Sequence, residues 1–297
     1  ASAGNTSRSF AKVCSENKIP LLLCVPEDNL NALWFEKPLD ECVKLVCSRK
    51  GSDYFDAIHL SEIASTLDGF IPEGGAKNAA RRDGMGTTIL SAVTTIGEIP
   101  EYYFQAVGSG TGAIAAWEAN LRFLADGRFG KRKMKLMVSQ NAPFQPIYDA
   151  WHAESRTMLP LDESLARTQV GIIDAKVLSN RKPPYSLSGG LYDALSDSGG
   201  TVMALTNEDA RAAATLFQKK EGIDIHPASA VAVASLQQAA ANGMIAADAL
   251  IMLNITGGGE ERYKAGHSLW YLKPALTFPV NPDPEEVKRQ IGQLFGI

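Results

Sequence analysis

The sequence has no long hydrophobic run, few cysteines and no excess of charge of one sign. None of its apolar runs approaches the ~20 residues that a membrane helix needs. Hydrophobic residues still make up 45% of the 297 positions, enough to bury a large core. The formal net charge is only −4, and no basic face lined by aromatic residues is present. We therefore expect one large or two modest domains, with neither a membrane nor nucleic acid as a partner.

Cysteine and histidine, two common metal ligands, are scarce. The four cysteines are Cys14, Cys24, Cys42 and Cys47, and the four histidines are His59, His152, His226 and His267. No two cysteines form a CxxC pair, and no two histidines stand at metal-ligand spacing. Cys14 and Cys24 lie within apolar runs, which favours buried, reduced thiols. The sequence thus predicts no metal site, and its cysteine usage suits a cytoplasmic location.

Short apolar runs alternate with helical stretches along the chain. The β-type runs are IPLLLCV, CVKLVCS, YYFQAV, MKLMVSQ, GTVMALT and ALIMLNIT. Strands that alternate with helices predict an α/β fold with mostly parallel sheets. Residues 143–200 are richer in Pro, Ser and Gly, and we expect long loops there. The closing helix is expected to begin at a cap formed by Asp283.

A glycine-rich turn stands between a strand and a helix in VGSGTGAIAAWEA, residues 107–119. Such a turn leaves backbone N–H groups available and the helix dipole adds partial positive charge, so it can hold a phosphate. The dinucleotide pattern G-x-G-x-x-A also fits from Gly108, but the next strand ends on Ser139 and Gln140 and not on an acidic residue. Phosphate binding is therefore the favoured interpretation, beside a turn that only packs the helix against the strand.

Three consecutive glycines follow the last apolar strand in LNITGGGEE. Gly257, Gly258 and Gly259 cost chain entropy, so they suggest a backbone pressed against a ligand or held at positive φ. Thr256 places a hydroxyl at the carboxyl end of this strand, where open α/β sheets bind ligands. Taken alone, the pattern is a modest indication of a binding site.

A basic segment precedes a helix in EGGAKNAARRDGMGT, residues 73–87. Its cations are Lys77, Arg81 and Arg82, and an arginine fork matches phosphate or sulfonate oxygens. The alternative is a solvated basic turn that Glu73 and Asp83 neutralise. The sequence alone favours neither interpretation.

Several of these strings occur together in one enzyme group. SAGNT (Ser2 to Thr6), GSGTG, EGIDIHPASA (Glu221 to Ala230) and LNITGGG resemble, in order and approximate spacing, the fold-type-II pyridoxal-phosphate enzymes related to threonine synthase. The longer strings EGGAKNAARRDGMGT and YYFQAVGSGTGAIAAWEA are similar to those of the cysteate synthase family within that group. The resemblance covers nearly the whole chain. It implies a two-lobed α/β fold like that of tryptophan synthase β, with helices on both sheet faces, residues 1–93 as a smaller mobile lobe and residues 94–297 as the larger lobe.

The resemblance also implies roles for individual residues. Asn5 matches the asparagine that bonds the cofactor's phenolic oxygen, and Thr256 matches the residue that faces its pyridine nitrogen. The cradle of the cofactor phosphate matches Gly108, Ser109, Gly110, Thr111 and Gly112. The turn that receives the substrate carboxylate matches Ser2, Gly4 and Thr6. A hydroxyl facing the pyridine nitrogen leaves it largely unprotonated, which favours replacement at the β-carbon over transamination.

The activity that the resemblance implies is the conversion of O-phosphoserine and sulfite to cysteate and phosphate, on a route to coenzyme M. Both substrates carry oxyanions, and we assign Lys77, Arg81 and Arg82 to their binding from charge and position. Threonine synthase activity on O-phosphohomoserine remains the alternative. A cytoplasmic, archaeal homo-oligomer would be typical of this family.

The family's Schiff-base lysine precedes the SAGNT motif, so we expect it upstream of Ala1 and assign no catalytic residue within the chain. Lys77 follows the motif and is no substitute. On this expectation the 297 residues alone would be a non-catalytic fragment that neither holds the cofactor covalently nor turns over at a useful rate.

Overall fold

The computed structural model describes residues 1–2 and 4–297, and its contacts divide the chain into two compact units. The first unit contains residues 1–73 and 262–297, and the second unit contains residues 74–261. Ala3, within the SAGNT string, lies outside the described residues. Each unit has its own parallel sheet and its own hydrophobic clusters.

The strands mostly follow the predicted apolar runs. They are β1 (Leu21–Pro26), β2 (Trp34–Phe35), β3 (Val43–Ser48), β4 (Tyr102–Ala106), β5 (Lys135–Asn141), β6 (Thr201–Leu205), β7 (Ile251–Leu253), β8 (Trp270–Tyr271) and β9 (Leu276–Phe278). The helices are α1 (Asn5–Asn17), α2 (Tyr54–Ala64), α3 (Ala79–Ile96), α4 (Thr111–Asp126), α5 (Pro146–His152), α6 (Glu163–Ile172), α7 (Leu191–Ser198), α8 (Asn207–Glu221), α9 (Pro227–Ala241), α10 (Glu260–Ala265) and α11 (Pro284–Phe295). Short 3-10 helices lie at Glu27–Ala32, Gly75–Lys77 and Lys176–Leu178.

The first unit is built on a three-stranded parallel sheet of order β1-β3-β9. Successive side chains of a strand point to opposite faces. Leu23 and Val25 accordingly pack with α1, whereas Cys24 packs with α2 and α11. Asp283 caps α11, as predicted, by accepting a hydrogen bond from the backbone N–H of Glu285. Helices thus cover both faces of this sheet.

The second unit is built on a four-stranded parallel sheet of order β6-β5-β4-β7. Tyr103 and Leu136 face a cluster that includes residues of α3, α4 and α7. Phe104 and Met137, their chain neighbours, face a cluster that includes residues of α8 and α9. The prediction of an α/β fold with mostly parallel sheets and helices on both faces is confirmed.

The division into units differs from the predicted lobe boundary at residue 93. Val93 is fully buried within the second unit because α3 packs along α4. The C-terminal segment returns to the first sheet, where Leu276 of β9 lies opposite Val46 of β3. That pairing joins residues far apart in sequence, so local patterns do not reveal it. The mobility of the smaller lobe remains a prediction.

Residues 143–200 hold more helix than predicted. They contain α5, α6 and α7 with loops between them. The N-terminus of α6 is capped by Asp162, whose carboxylate accepts from the backbone N–H of Leu165 at 2.9 Å. Ala166 and Val170, four residues apart, bury one face of this helix. The high content of Pro, Ser and Gly had hidden this short periodicity.

The cysteine side chains are free thiols in largely apolar surroundings. Cys14, Cys24 and Cys47 are buried, as expected of the apolar runs, and Cys42 is half-buried. Burial raises the pKa of Cys24 to about 11 and that of Cys47 to about 12, so both thiols stay protonated and unreactive near neutral pH.

The described residues contain no cluster of three or more His, Cys, Asp or Glu side chains arranged to hold a metal ion. None of the described helices combines the length and the apolar character that a bilayer crossing requires.

Candidate active site

The glycine loop 108–112 connects β4 to α4 in the second unit. Gly110 is the N-cap of α4 and adopts φ of 80°, in the left-handed region that favours glycine. The hydroxyls of Ser109 and Thr111 lie 2.9 Å apart. The first turn of α4 contains no acidic residue, so its N–H groups and dipole can act on an anion.

The glycines of this loop are required by close packing. A Cβ at Gly108 would lie 3.1 Å from the Cα of Leu178, and one at Gly112 would lie 2.5 Å from Nε2 of Gln105. Both distances are shorter than ordinary van der Waals contacts. The loop therefore keeps its backbone bare of side chains at these positions, which fits the close approach that a phosphate cradle needs.

Thr256 follows β7, the neighbour of β4 in the sheet. The triple glycine beyond it is fixed to the start of α9, since Ser229 donates to the carbonyl of Gly257 at 2.9 Å and accepts from its N–H at 3.0 Å. The hydroxyls of Ser229 and Thr256 are 3.4 Å apart. Ser229, which the sequence had not singled out, is fully buried. It fixes the backbone next to Thr256.

The same loop is held by further contacts from the segment before α9. The N–H of Gly259 donates to the carbonyl of Asp224 at 2.7 Å, and the N–H of His226 donates to the carbonyl of Gly257 at 3.0 Å. Nε2 of His226 is hydrogen-bonded to the carboxylate of Glu260. His226 therefore has a specific partner beside the candidate site.

We expect His226→Gln to loosen this loop without unfolding the protein. A partly exposed hydrogen bond contributes about 1 kcal/mol or less, so its loss should accelerate amide hydrogen exchange at Gly257 and Gly259 about two- to fivefold. His59→Gln is the control, because His59 lies on α2 in the first unit. Its Nδ1 is 3.9 Å from the carboxylate of Glu62, beyond hydrogen-bond distance. Equal exchange rates in wild type and His226→Gln would show that the pair does not hold the loop.

A series of hydrogen-bonded polar side chains links β4 to the residue that follows β7. Nδ2 of Asn254 donates to the hydroxyl of Tyr103 at 2.7 Å, and that hydroxyl donates to Oε1 of Gln105 at 2.8 Å. Tyr103 and Gln105 lie on β4, and Asn254 directly follows β7. The run YYFQAV is typical of a β-strand, and its apolar character does not reveal these contacts. The alternation of Tyr103 with Gln105 on one strand face is the signal that could have revealed them.

The SAGNT string lies at the start of α1 in the first unit. Gly4 is the N-cap, and no side chain caps this helix end. The hydroxyl of Ser7 donates to the carbonyl of Ser2 at 2.9 Å. Arg8 donates to Oδ1 of Asn5 at 3.5 Å and stacks on the ring of Trp34, with its guanidinium carbon 3.3 Å from the centroid. The side chain of Asn5 thus has a cationic neighbour on its amide oxygen.

The basic segment 73–87 is tied to α4 by Arg82. Nε of Arg82 lies 2.9 Å from the carboxylate of Glu118 on α4, and Arg82 also donates to the carbonyl of Ala76. Asp83 pairs with Arg122 of α4. Lys77 is exposed and Arg81 is half-buried. The positive charge of Arg82 is therefore offset within the unit.

The structure brings some of the candidate residues together. The glycine loop 108–112 and Thr256 both lie at carboxyl ends of adjacent parallel strands, the edge at which α/β sheets bind ligands. Lys77, Arg81 and Arg82 belong to the same unit. Ser2, Gly4, Asn5 and Thr6 belong to the other unit, and their convergence with the loop on one cleft stays a prediction.

Comparison with known proteins gives the family. The family model described as pyridoxal-phosphate dependent enzyme matches residues 1–257. The cysteate synthase of Methanosarcina barkeri is 48% identical over 95% of this chain and 68% of its own length. The chain belongs to the cysteate synthase family of pyridoxal-phosphate dependent enzymes. The cysteate synthase of Methanosarcina acetivorans, 47% identical over 97% of this chain and 70% of its own length, is a further member.

Solved structures of the wider family share the fold. A pyridoxal 5′-phosphate-dependent aspartate racemase has a TM-score of 0.59 at 14% identity and covers 86% of this chain and 71% of its own. The serine racemase of Dictyostelium discoideum has a TM-score of 0.56 at 15% identity and covers 86% of this chain and 74% of its own. The prediction of the fold-type-II architecture and of pyridoxal phosphate as cofactor is confirmed.

Proposed function

We propose that the protein replaces the phosphate of O-phosphoserine by sulfite, giving cysteate and free phosphate. The observation that carries the proposal is the position of the glycine loop 108–112 and Thr256 at the carboxyl ends of the adjacent strands β4 and β7. The 48% identity to a cysteate synthase supports this reaction over others of the family. In the reaction the carbon–oxygen bond to phosphate breaks and a carbon–sulfur bond forms at the same β-carbon.

The proposed roles divide between the two ends of the cofactor. The loop 108–112 holds its phosphate with backbone N–H groups at the N-terminus of α4. Thr256 offers the pyridine nitrogen a hydroxyl and not a carboxylate, so this chain does not stabilise a full positive charge there. Pyridoxal phosphate, when bound, supplies the electron sink that accepts negative charge from the substrate. Asn5 bonds the phenolic oxygen, and Ser2, Gly4 and Thr6 orient the substrate carboxylate.

The oxyanions of the substrates require cations. Lys77 and Arg81 are the proposed ligands, because both are cationic and lie in the same unit as the glycine loop 108–112. Arg82 is proposed to act beside them while it holds the basic segment against α4. One cationic group can serve the leaving phosphate and the entering sulfite, since both present oxyanions of similar size.

Arg81→Ala should raise the KM for O-phosphoserine about tenfold, because a charge-assisted hydrogen bond contributes roughly 1.5–3 kcal/mol. The affinity for pyridoxine 5′-phosphate should change little, since a different loop holds the cofactor phosphate. Lys131→Ala, which removes an exposed lysine of the same unit, is the control. Arg82→Ala should additionally lower the unfolding temperature, because Glu118 loses its partner. An unchanged KM in Arg81→Ala would remove this residue from substrate binding.

The decisive experiment supplies O-phosphoserine and sulfite and measures cysteate, with O-phosphohomoserine as the competing substrate. The assay uses the protein supplied with pyridoxal phosphate. Formation of cysteate supports the proposal. Threonine from O-phosphohomoserine without any cysteate would assign the protein to threonine synthesis instead.

Coenzyme M biosynthesis, a cytoplasmic location and a homo-oligomeric assembly belong to the same proposal. The four free thiols support a reducing compartment. Sedimentation of the purified protein tests the assembly.

A further inference from the structure

The buried chain Asn254–Tyr103–Gln105 lies between the two cofactor loops of the second unit. Its hydrogen bonds measure 2.7 Å and 2.8 Å, within the range of well-formed bonds. Tyr103 is 1% exposed and Gln105 is 7% exposed. Polar groups at such depth are costly to leave without partners. The chain is therefore a fixed part of the structure.

The donors and acceptors of the chain run in one direction. A phenol has one hydrogen, and Tyr103 donates it to Oε1 of Gln105, so its oxygen is left to accept from Nδ2 of Asn254. Burial raises the pKa of Tyr103 well above its usual value, which keeps the phenol protonated and able to donate. Each of the two bonds thus fixes the orientation of an amide.

Each end of the chain reaches one of the cofactor loops. The amide of Gln105 lies against Gly112, where a Cβ would come within 2.5 Å of Nε2. Asn254 stands two residues before Thr256, and its backbone N–H donates to the carbonyl of Phe104 at 2.9 Å. A displacement at either end therefore disturbs the hydroxyl of Tyr103 and, through it, the other end.

We propose that Tyr103 is a positioning residue that fixes the separation between the phosphate loop 108–112 and Thr256, so that the two ends of the cofactor are recognised together. This inference rests on the proposed roles of the loop and of Thr256. Tyr103 does not touch the cofactor. It acts through Gln105 on the phosphate end and through Asn254 on the pyridine end.

The test measures the binding of two probes to wild type and to Tyr103→Phe. Pyridoxine 5′-phosphate spans both loops and cannot form a Schiff base with any lysine, whereas inorganic phosphate occupies the glycine loop alone. Loss of a buried hydrogen-bond partner should weaken binding of pyridoxine 5′-phosphate about tenfold or more, and binding of inorganic phosphate less than about twofold. A purely structural role of Tyr103 would weaken both probes alike.

Tyr185→Phe is the matched control. Tyr185 is fully buried in the same unit, and its hydroxyl donates to the carbonyl of Ser155 at 3.2 Å, a residue of neither loop. Tyr185→Phe should leave the ratio of the affinities for pyridoxine 5′-phosphate and inorganic phosphate unchanged. Asn254→Ala, at a half-buried position, removes the side chain that donates to the hydroxyl of Tyr103. If Tyr103→Phe does not fold, this variant should show the same difference, with weaker binding of pyridoxine 5′-phosphate and nearly unchanged binding of inorganic phosphate.

The outcomes separate this inference from the proposed function. Equal loss of both probes, or no loss, in Tyr103→Phe and Asn254→Ala would overturn the positioning role while the cofactor site stands. Failure of wild type to bind pyridoxine 5′-phosphate would instead count against the cofactor roles of the loop and of Thr256, and the positioning role would fall with them.

Discussion

Gly112→Ala should remove most of the cofactor affinity and lower the stability of the second unit. The new Cβ would lie 2.5 Å from Nε2 and 2.6 Å from Oε1 of Gln105. A long side chain could normally swing away, but this amide is held by the hydroxyl of Tyr103 and is buried. Moving it breaks that bond, so we expect a loss of roughly 1–3 kcal/mol in the free energy of unfolding. Binding of pyridoxine 5′-phosphate should fall by about tenfold or more.

Two variants test the cause of this effect. Gly84→Ala places a methyl group on α3 where nothing lies within 4 Å, and a glycine-to-alanine change in a helix should stabilise the protein by up to about 1 kcal/mol. Adding Gln105→Ala to Gly112→Ala removes the clashing amide, so the two substitutions should cost less together than the sum of each alone. Additive costs would mean that Gln105 is not the reason for glycine at position 112.

Much of the second unit could be predicted from sequence because its patterns are local. The strands β4, β5 and β6 appear as short apolar runs, and alternate side chains enter two different clusters. The glycine loop also depends on neighbouring residues, since a strand, a turn and a helix follow one another directly. Such features are encoded within one or two dozen residues.

The features that the sequence concealed depend on distant partners. The sequence favoured neither a bound anion nor local neutralisation for Arg82, and the pairing of Arg82 with Glu118, on another helix, cannot be read from neighbouring residues. The contacts divide the chain differently from the expected lobes, since β9 pairs with β3 only after the chain has completed the second unit. Ser229 stood within the string that carries the family resemblance, yet its two bonds to Gly257 require the fold to be known.

Ser229→Ala is the variant that most directly tests the support of Thr256. The substitution removes a hydroxyl that both donates to and accepts from the backbone of Gly257. Leaving the half-buried N–H of Gly257 without this partner costs roughly 1–3 kcal/mol. We expect faster amide exchange at Gly257 and an affinity for pyridoxine 5′-phosphate that is lower by about tenfold, while binding of inorganic phosphate changes little.

Ser235→Ala supplies an unusually close control. Ser229 and Ser235 lie on the same helix, α9, and both are fully buried. The hydroxyl of Ser235 donates only within its own helix, to the carbonyl of Ala232 at 2.8 Å. That side-chain bond competes with the backbone hydrogen bonds of the helix, so its loss should cost little stability. Because both variants remove the same atom from similar surroundings, the difference between them isolates the contact with the Thr256 loop. Equal affinities for pyridoxine 5′-phosphate in the two variants would show that Ser229 supports the helix and not the cofactor site.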